Sequence, residues 1–172
     1  MGEVVSQEEL LGRRATWSVD GSRVALVAGR FDLLHPGHIR LLEQARSHGG
    51  VIVVGVFDDN LAKAKISQEK PESFSGAASS TFGGSCGPAA ERAEILAALA
   101  AVDYVFALRT TDLGAFLTAF HPDVVVDGAE ISPAKSPLAT AAASVGIEVF
   151  RIALEPGHSS SRLIDRIIQL RA

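Results

Sequence analysis

Short apolar runs alternate with amphipathic stretches along most of this chain. Val24 to Ala28, Val51 to Val56, Tyr104 to Leu108 and Val124 to Val126 are almost wholly apolar, and Ile147 to Ile152 is apolar apart from Glu148 and Arg151. Runs of that length predict strands buried on both faces of a parallel sheet. Helical patterns fill the intervals. Ser6 and Glu9 have capping-box spacing ahead of a helix over 7–16. Pro36 suits the first turn of a helix reaching about His48, with Ile39, Leu42 and Ala45 on one face and Gly49-Gly50 at its end. Further helices are expected over 89–101, after Asp112, over 137–145, and from the Ser159 region onward. Residues 67–88, rich in Ser and Gly with two prolines, follow neither period and read as a flexible surface insertion.

Strand and helix alternating in this way predict an α/β fold: a single Rossmann-like, doubly wound domain over residues 1–172 with about five parallel strands. Right-handed crossovers follow from that architecture, and ligands bind such sheets outside the carboxyl ends of the strands, where the strand order reverses. The end of the first apolar run, Ala28-Gly29, is the expected place.

Composition narrows the partners. The chain has 172 residues, 47% hydrophobic and 21% charged, and a net charge of −4 with no basic stripe, which argues against a duplex nucleic acid partner. A small phosphorylated ligand needs only a local cluster of donors. One cysteine, Cys86, forms no internal disulfide, and Glu3, Glu8 and Glu9 interrupt any leader-like apolar run. No stretch approaches the ~20 apolar residues that cross a bilayer. A cytoplasmic protein without a membrane partner is the expectation.

Chemistry concentrates after the first strand. Gly29 lets backbone N–H groups approach a ligand, and the helix behind Pro36 aims unpaired N–H groups and the positive end of its dipole at the same space. His35 and His38, three apart across a helix start, can face one ligand, with Gly37 leaving room between them. Two imidazole donors suit phosphoryl or nucleotidyl transfer, in which catalysis is mainly positioning and charge neutralisation. A zinc site would have to recruit Cys86 or carboxylates at no recognisable ligand spacing. The bland alternative is that the histidines only decorate a helix start, which their placement directly after the first strand argues against. Far along the chain, Ser159, Ser160, Ser161 and Arg162 precede the last helix, as N-caps or as a second phosphate cradle.

The segment Gly29-Arg30-Phe31-Asp32-Leu33-Leu34-His35-Pro36-Gly37-His38 resembles the signature of the cytidylyltransferase-like nucleotidyltransferases. In that family a substrate phosphate attacks the α-phosphate of a nucleoside triphosphate and pyrophosphate leaves. The resemblance implies that His35 and His38 stabilise the transition state, and that Gly29, Arg30, Phe31, Asp32 and Gly37 lie against the nucleotide. It implies that Ser159, Ser160, Ser161 and Arg162 hold the outer phosphates, and that Arg92, in the helix containing Glu91 and Glu94, lies near the substrate. Lys65, or its neighbour Lys63, would reach the transferring phosphate, and Mg²⁺ would accompany the triphosphate.

Within the family, the N-terminal helix, the run from Glu91 to Asp103 and the Ser-Ser-Ser-Arg-Leu-Ile turn are similar to the ADP-heptose synthase adenylyltransferase domain. That likeness implies ATP and heptose 1-phosphate as substrates. Transfer from CTP to glycerol 3-phosphate or a phosphorylated amino alcohol is the alternative, and a non-catalytic nucleotide-binding module is another. Dimers are common in the family, so a homodimer fits the reading. Three positions depart from the subgroup: Arg30 stands for the usual cysteine or threonine, the 67–88 insertion falls in the substrate loop, and Asp127-Gly128 stands where Lys-Gly-Gly is typical. Asp127 thus puts a negative charge where a sugar-phosphate cation is expected.

Overall fold

The apolar runs line up side by side as expected. In the computed structural model, residues 1–58, 87–110, 112–128, 136–153 and 160–170 are described, Ser161 by its backbone alone. The elements are β1 (Glu3–Val4), α1 (Gln7–Val19), β2 (Val24–Gly29), α2 (Pro36–Ala45), β3 (Val51–Phe57), α3 (Ala89–Ala97), β4 (Tyr104–Leu108), α4 (Leu113–Phe120), β5 (Val124–Gly128), α5 (Pro137–Ser144), β6 (Glu148–Ile152) and α6 (Ser160–Gln169). All pairings are parallel, in the order β1-β4-β3-β2-β5-β6.

Five of these strands are the predicted ones. The sixth, β1, has only two residues and adds to the β4 edge through Glu3↔Tyr104 and Val4↔Val105. Its ladder is a backbone affair, extended by Gly2 N–H to the Ala97 carbonyl at 2.7 Å, so no apolar run announces it. Helix boundaries shift by a turn or less. The capping box closes as read: Glu9 N–H donates to Ser6 Oγ at 3.1 Å and Ser6 N–H to Glu9 Oε2 at 2.7 Å. Beyond residue 16, α1 continues because Trp17 is buried and packs on Tyr104, ring centroids 4.9 Å apart. His48 is half-buried, its ring centroid 3.5 Å from that of Phe150.

Strand alternation divides the core into two layers. Ala25, Val27, Ile52, Val54, Val56, Val124 and Val126 face α2 and α3, which contribute Leu41, Leu42, Ala45, Ala93 and Leu96. Val24, Leu26, Val53, Phe106 and Val125 face the opposite side, against Leu10 and Trp17 of α1, Phe116, Leu117 and Phe120 of α4, and Leu138 and Ala142 of α5. The segment leaving β2 therefore turns to one face and the segment leaving β5 to the other.

That divergence opens the sheet. The β2–β3 ladder runs to Gly29↔Val56 and the β5–β6 ladder to Gly128↔Ile152. Between β2 and β5 the pairing stops at Leu26↔Val125, well before either carboxyl end. The gap beyond it is the switch-point crevice that doubly wound sheets use for ligands.

At the opposite, amino end of the sheet, the turn into β3 leaves no room for a side chain at Gly49. A Cβ on Gly49, in the turn from α2 to β3, would lie 2.6 Å from Ala25 N and 2.7 Å from Ala25 Cβ, and Ala25 is fully buried. Gly49→Ala is expected to cost about 1–3 kcal/mol, the usual range for overpacking. Urea unfolding checks this, and a loss under about 0.5 kcal/mol would show that β2 yields.

Candidate active site

The loop between β2 and α2 is held by one buried side chain. Arg92, in the first turn of α3, is 4% exposed. Its Nε donates to the Gly87 carbonyl at 2.9 Å, its Nη2 to the Phe57 carbonyl at 3.0 Å, and its Nη1 to the Arg30 carbonyl. One planar guanidinium thus ties together the end of β3, the approach to α3 and the loop leaving β2. Asp32, 5% exposed, supplies the balancing charge, with Oδ1 3.9 Å from Arg92 Nε and Oδ2 3.0 Å from Arg30 Nη2.

Phe31 follows from that tie. Its φ is 52°, a left-handed value costing roughly 1–2 kcal/mol for a residue with a Cβ. Burial of the ring offsets that cost, and Gly29 makes the burial possible, since a Cβ there would lie 3.1 Å from Phe31 Cε2. The loop then enters α2 through His35, an extended N-cap with φ −140° and no capping hydrogen bond from its side chain. Pro36 occupies the first turn, where its missing N–H costs nothing.

His35 and His38 stack, ring centroids 3.8 Å apart at 23°, and Phe31 lies 5.2 Å from His38. Gly37 is buried between them in the first turn. Burial first, and then the adjacent His35 imidazole, push the His38 pKa from 6.5 down to about 4, against the opposing pull of Asp32 and the Leu33 backbone. His38 Nδ1 is buried without a hydrogen-bond partner among the described residues. At neutral pH the site thus holds an uncharged His38 at a helix N-terminus suited to an anion.

The far motif arrives at the same loop. Ser160 Oγ lies 3.4 Å from the Leu33 carbonyl, across 127 residues of sequence. Leu163 and Ile167 of α6 line a cavity with Phe31, Asp32, Leu33, Leu34, Arg92 and Ile95. Arg162 is exposed on α6. Of the residues expected at the site, Gly29, Arg30, Phe31, Asp32, His35, Gly37, His38, Arg92 and Ser160 therefore come together. Lys65, Lys63 and Ser159 lie outside the described residues, as does the 67–88 segment except Gly87 and Pro88.

Across the crevice stands a group that sequence reasoning misjudged. Asp127 is not an isolated negative charge. Its Oδ2 lies 3.4 Å from Arg151 Nε, and its Oδ1 accepts from Ser136 Oγ at 3.1 Å. Asp127 and Arg151 are register partners on β5 and β6. Ser136 in turn caps α5, accepting from Ala139 N–H at 3.3 Å. A charge of opposite sign 24 positions later, at the same phase of a second apolar strand, was the available signal for the pair.

Residues 26–75 match the cytidylyltransferase-like family model, as the resemblance implied. The chain is 33% identical over 164 residues to bifunctional protein HldE of Hyphomonas neptunium, covering 95% of this chain and 31% of that protein. The HldE of Acidiphilium cryptum is 33% identical over 165 residues, covering 96% and 31%. The chain thus spans about a third of the length of these relatives. Among solved structures, a lipopolysaccharide core biosynthesis protein from Thermoplasma volcanium has the same fold at 21% identity, TM-score 0.59, covering 78% of this chain and 99% of that one. Pantoate-beta-alanine ligase from Francisella tularensis does so at 13% identity, TM-score 0.61, covering 96% and 73%. No described helix is long and apolar enough to cross a membrane.

Two outcomes follow. Removing one partner of a buried ion pair costs about 3–5 kcal/mol, so Arg92→Met should lose stability on that scale in denaturant unfolding; a loss below about 1 kcal/mol would deny it the tie. In imidazole NMR, His38 should titrate near pH 4. The unfolded chain takes up that proton at its ordinary pKa of 6.5, so stability contributed by neutral His38 is full above 6.5 and declines as pH falls toward about 4. A His38 titration at or above 6.5 would contradict its burial.

Proposed function

From a chain that matches the cytidylyltransferase-like family over residues 26–75, we propose a nucleotidyltransferase that moves AMP from ATP to a small phosphorylated acceptor, heptose 1-phosphate favoured. The observation that carries this reading is the stacked His35–His38 pair at the N-terminus of α2, beside the gap between β2 and β5. An acceptor phosphate oxygen forms a bond to the α-phosphorus of the triphosphate. The bond from that phosphorus to the β-phosphate oxygen breaks, and pyrophosphate leaves with the electron pair. No group on the protein needs to be covalently modified.

The chain's own contribution is donors and their placement. His35 and His38 donate ring N–H groups to the phosphate oxygens on which charge accumulates. The free N–H groups at the start of α2 add to the same field, and Gly37 keeps side-chain bulk out of it. The Arg92 tie holds the loop backbone near Gly29 to Phe31 against the nucleotide, so Arg92 serves as a positioning residue. Ser160, beside Leu33, brings α6 to the outer phosphates, with Ser159, Ser161 and Arg162 completing that cradle. Lys65 remains the proposed cation for the transferring phosphate.

Mg²⁺ fits as a companion of the triphosphate. Among the described residues no group of three His, Cys, Asp or Glu side chains could hold a metal, and Asp32 is already committed to two arginines. Bound, the ion would neutralise phosphate charge. The heptose 1-phosphate acceptor rests on the resemblance of the N-terminal helix, the run from Glu91 to Asp103 and the Ser-Ser-Ser-Arg-Leu-Ile turn to the ADP-heptose synthase adenylyltransferase domain.

Pyrophosphate release, with ATP and CTP each crossed against heptose 1-phosphate, glycerol 3-phosphate and phosphoethanolamine, tests the reading. Turnover is expected with ATP and heptose 1-phosphate. Preference for CTP with either other acceptor would assign the alternative chemistry, and nucleotide binding without any turnover would leave a binding module. His38→Ala should lower kcat about 10²- to 10³-fold, the usual cost of one transition-state donor, with thermal unfolding little changed. Near-normal turnover in that variant would remove the histidine pair from the chemistry.

A further inference from the structure

Hydrophobic side chains that face solvent singly are ordinary; a cluster of them is not. Of the eight large apolar residues exposed among the described ones, four gather on α3 and at α6. Ile95 is 55% exposed, Ile167 52%, Ile168 46% and Leu170 79%. Ile95 and Ile167 also line one cavity together with Leu163, so the two helices present a shared apolar face.

Helix α6 makes that exposure costly. Leu163, Ile164, Ile167 and Ile168 recur at helical spacing, with Arg162, Asp165, Arg166 and Gln169 on the other side. A helix of ten residues has little stability of its own in water and relies on packing of its apolar stripe. Ser160 beside the Leu33 carbonyl, and Leu163 and Ile167 at the cavity, attach it to the body of the protein. Ile168 and Leu170 lie outside that attachment, and Ile167 is still half open.

We propose that this face pairs with the same face of a second copy of the chain about a two-fold axis. Its exposed apolar part amounts to roughly 400 Å² per copy, a size that marks interaction surfaces. Twice that, with the polar rim that interfaces carry, falls within the roughly 1,200–2,000 Å² of stable complexes. Charge selects a second copy as the occupant. Glu91 and Glu94 are exposed on α3 around Ile95, and Arg166 is exposed on α6 beside Ile167. None of the three has an ion-pair partner among the described residues. The face is acidic on its α3 side and basic on its α6 side, where Arg162 and Arg166 outweigh Asp165. A two-fold axis exchanges the sides, so the Glu91 of each copy meets the Arg166 of the other. An anionic lipid surface would instead meet the same glutamates on a chain whose net charge is −4. Ser160 lies in the first turn of the covered helix, so pairing also braces its approach to Leu33.

Sedimentation velocity of the full chain from about 1 to 100 µM tests this. It reads association without turnover, so its outcome is independent of the transfer reading. A dimer is expected. L170E and I95E, both at positions more than half exposed, should raise its dissociation constant at least about tenfold while keeping the circular dichroism of the wild type. R166E and E91K should each weaken the dimer, and the two together should recover most of it. A wild type that stays monomeric, or a dimer unmoved by L170E and I95E, would overturn the pairing. A combined R166E and E91K variant no tighter than either single one would overturn the two-fold arrangement. Recovery of a monomer with vesicles of anionic lipid would give the face to a membrane instead.

Discussion

Because the chain leaves β2 toward one face of the sheet and β5 toward the other, these strands stay paired only at Ala25–Leu26 and Val124–Val125. The chemical groups are arranged around the opening that follows. Helix α2 starts on one side of it and α5 on the other, each bringing a helix N-terminus and a polar cap residue to the carboxyl edge. The apolar packing beneath, with Ala25, Leu26, Val124 and Val125 fully buried, keeps the two halves of the sheet joined while their ends diverge.

On the β2 side, order is imposed from outside the loop. A left-handed Phe31 and an uncapped His35 are not conformations that a short loop adopts on local preference. They are maintained because Arg92 collects carbonyls from three separate stretches and because Asp32 is locked between two arginines. The histidines inherit their stacking from this support. Burial and the neighbouring His35 keep His38 uncharged at neutral pH.

Much of this was legible in the amino-acid order, for physical reasons. A strand buried on both faces is apolar at nearly every position, so β2 to β5 could be read from runs, while β6, a partly exposed edge strand with Glu148 and Arg151, shows a mixed run. The capping box and Pro36 are local signals and held. Strand β1 could not be read, since two residues joined through backbone atoms leave no side-chain pattern. Arg92 was visible as a candidate for substrate contact, but its three carbonyl partners lie 5, 35 and 62 positions away, and only the folded loops bring them together. Asp127 was misjudged for a related reason: a β-strand residue takes its electrostatic meaning from the adjacent strand, and register with Arg151 is a property of the sheet.

The Arg92 tie has one more consequence. A guanidinium keeps its proton at any pH a protein tolerates, and backbone carbonyls do not titrate. The carbonyl tie itself is therefore indifferent to acidity, while the His38 imidazole mounted on it is not. In such a division of labour, proton concentration can act on a reactive group without loosening the guanidinium that anchors its loop.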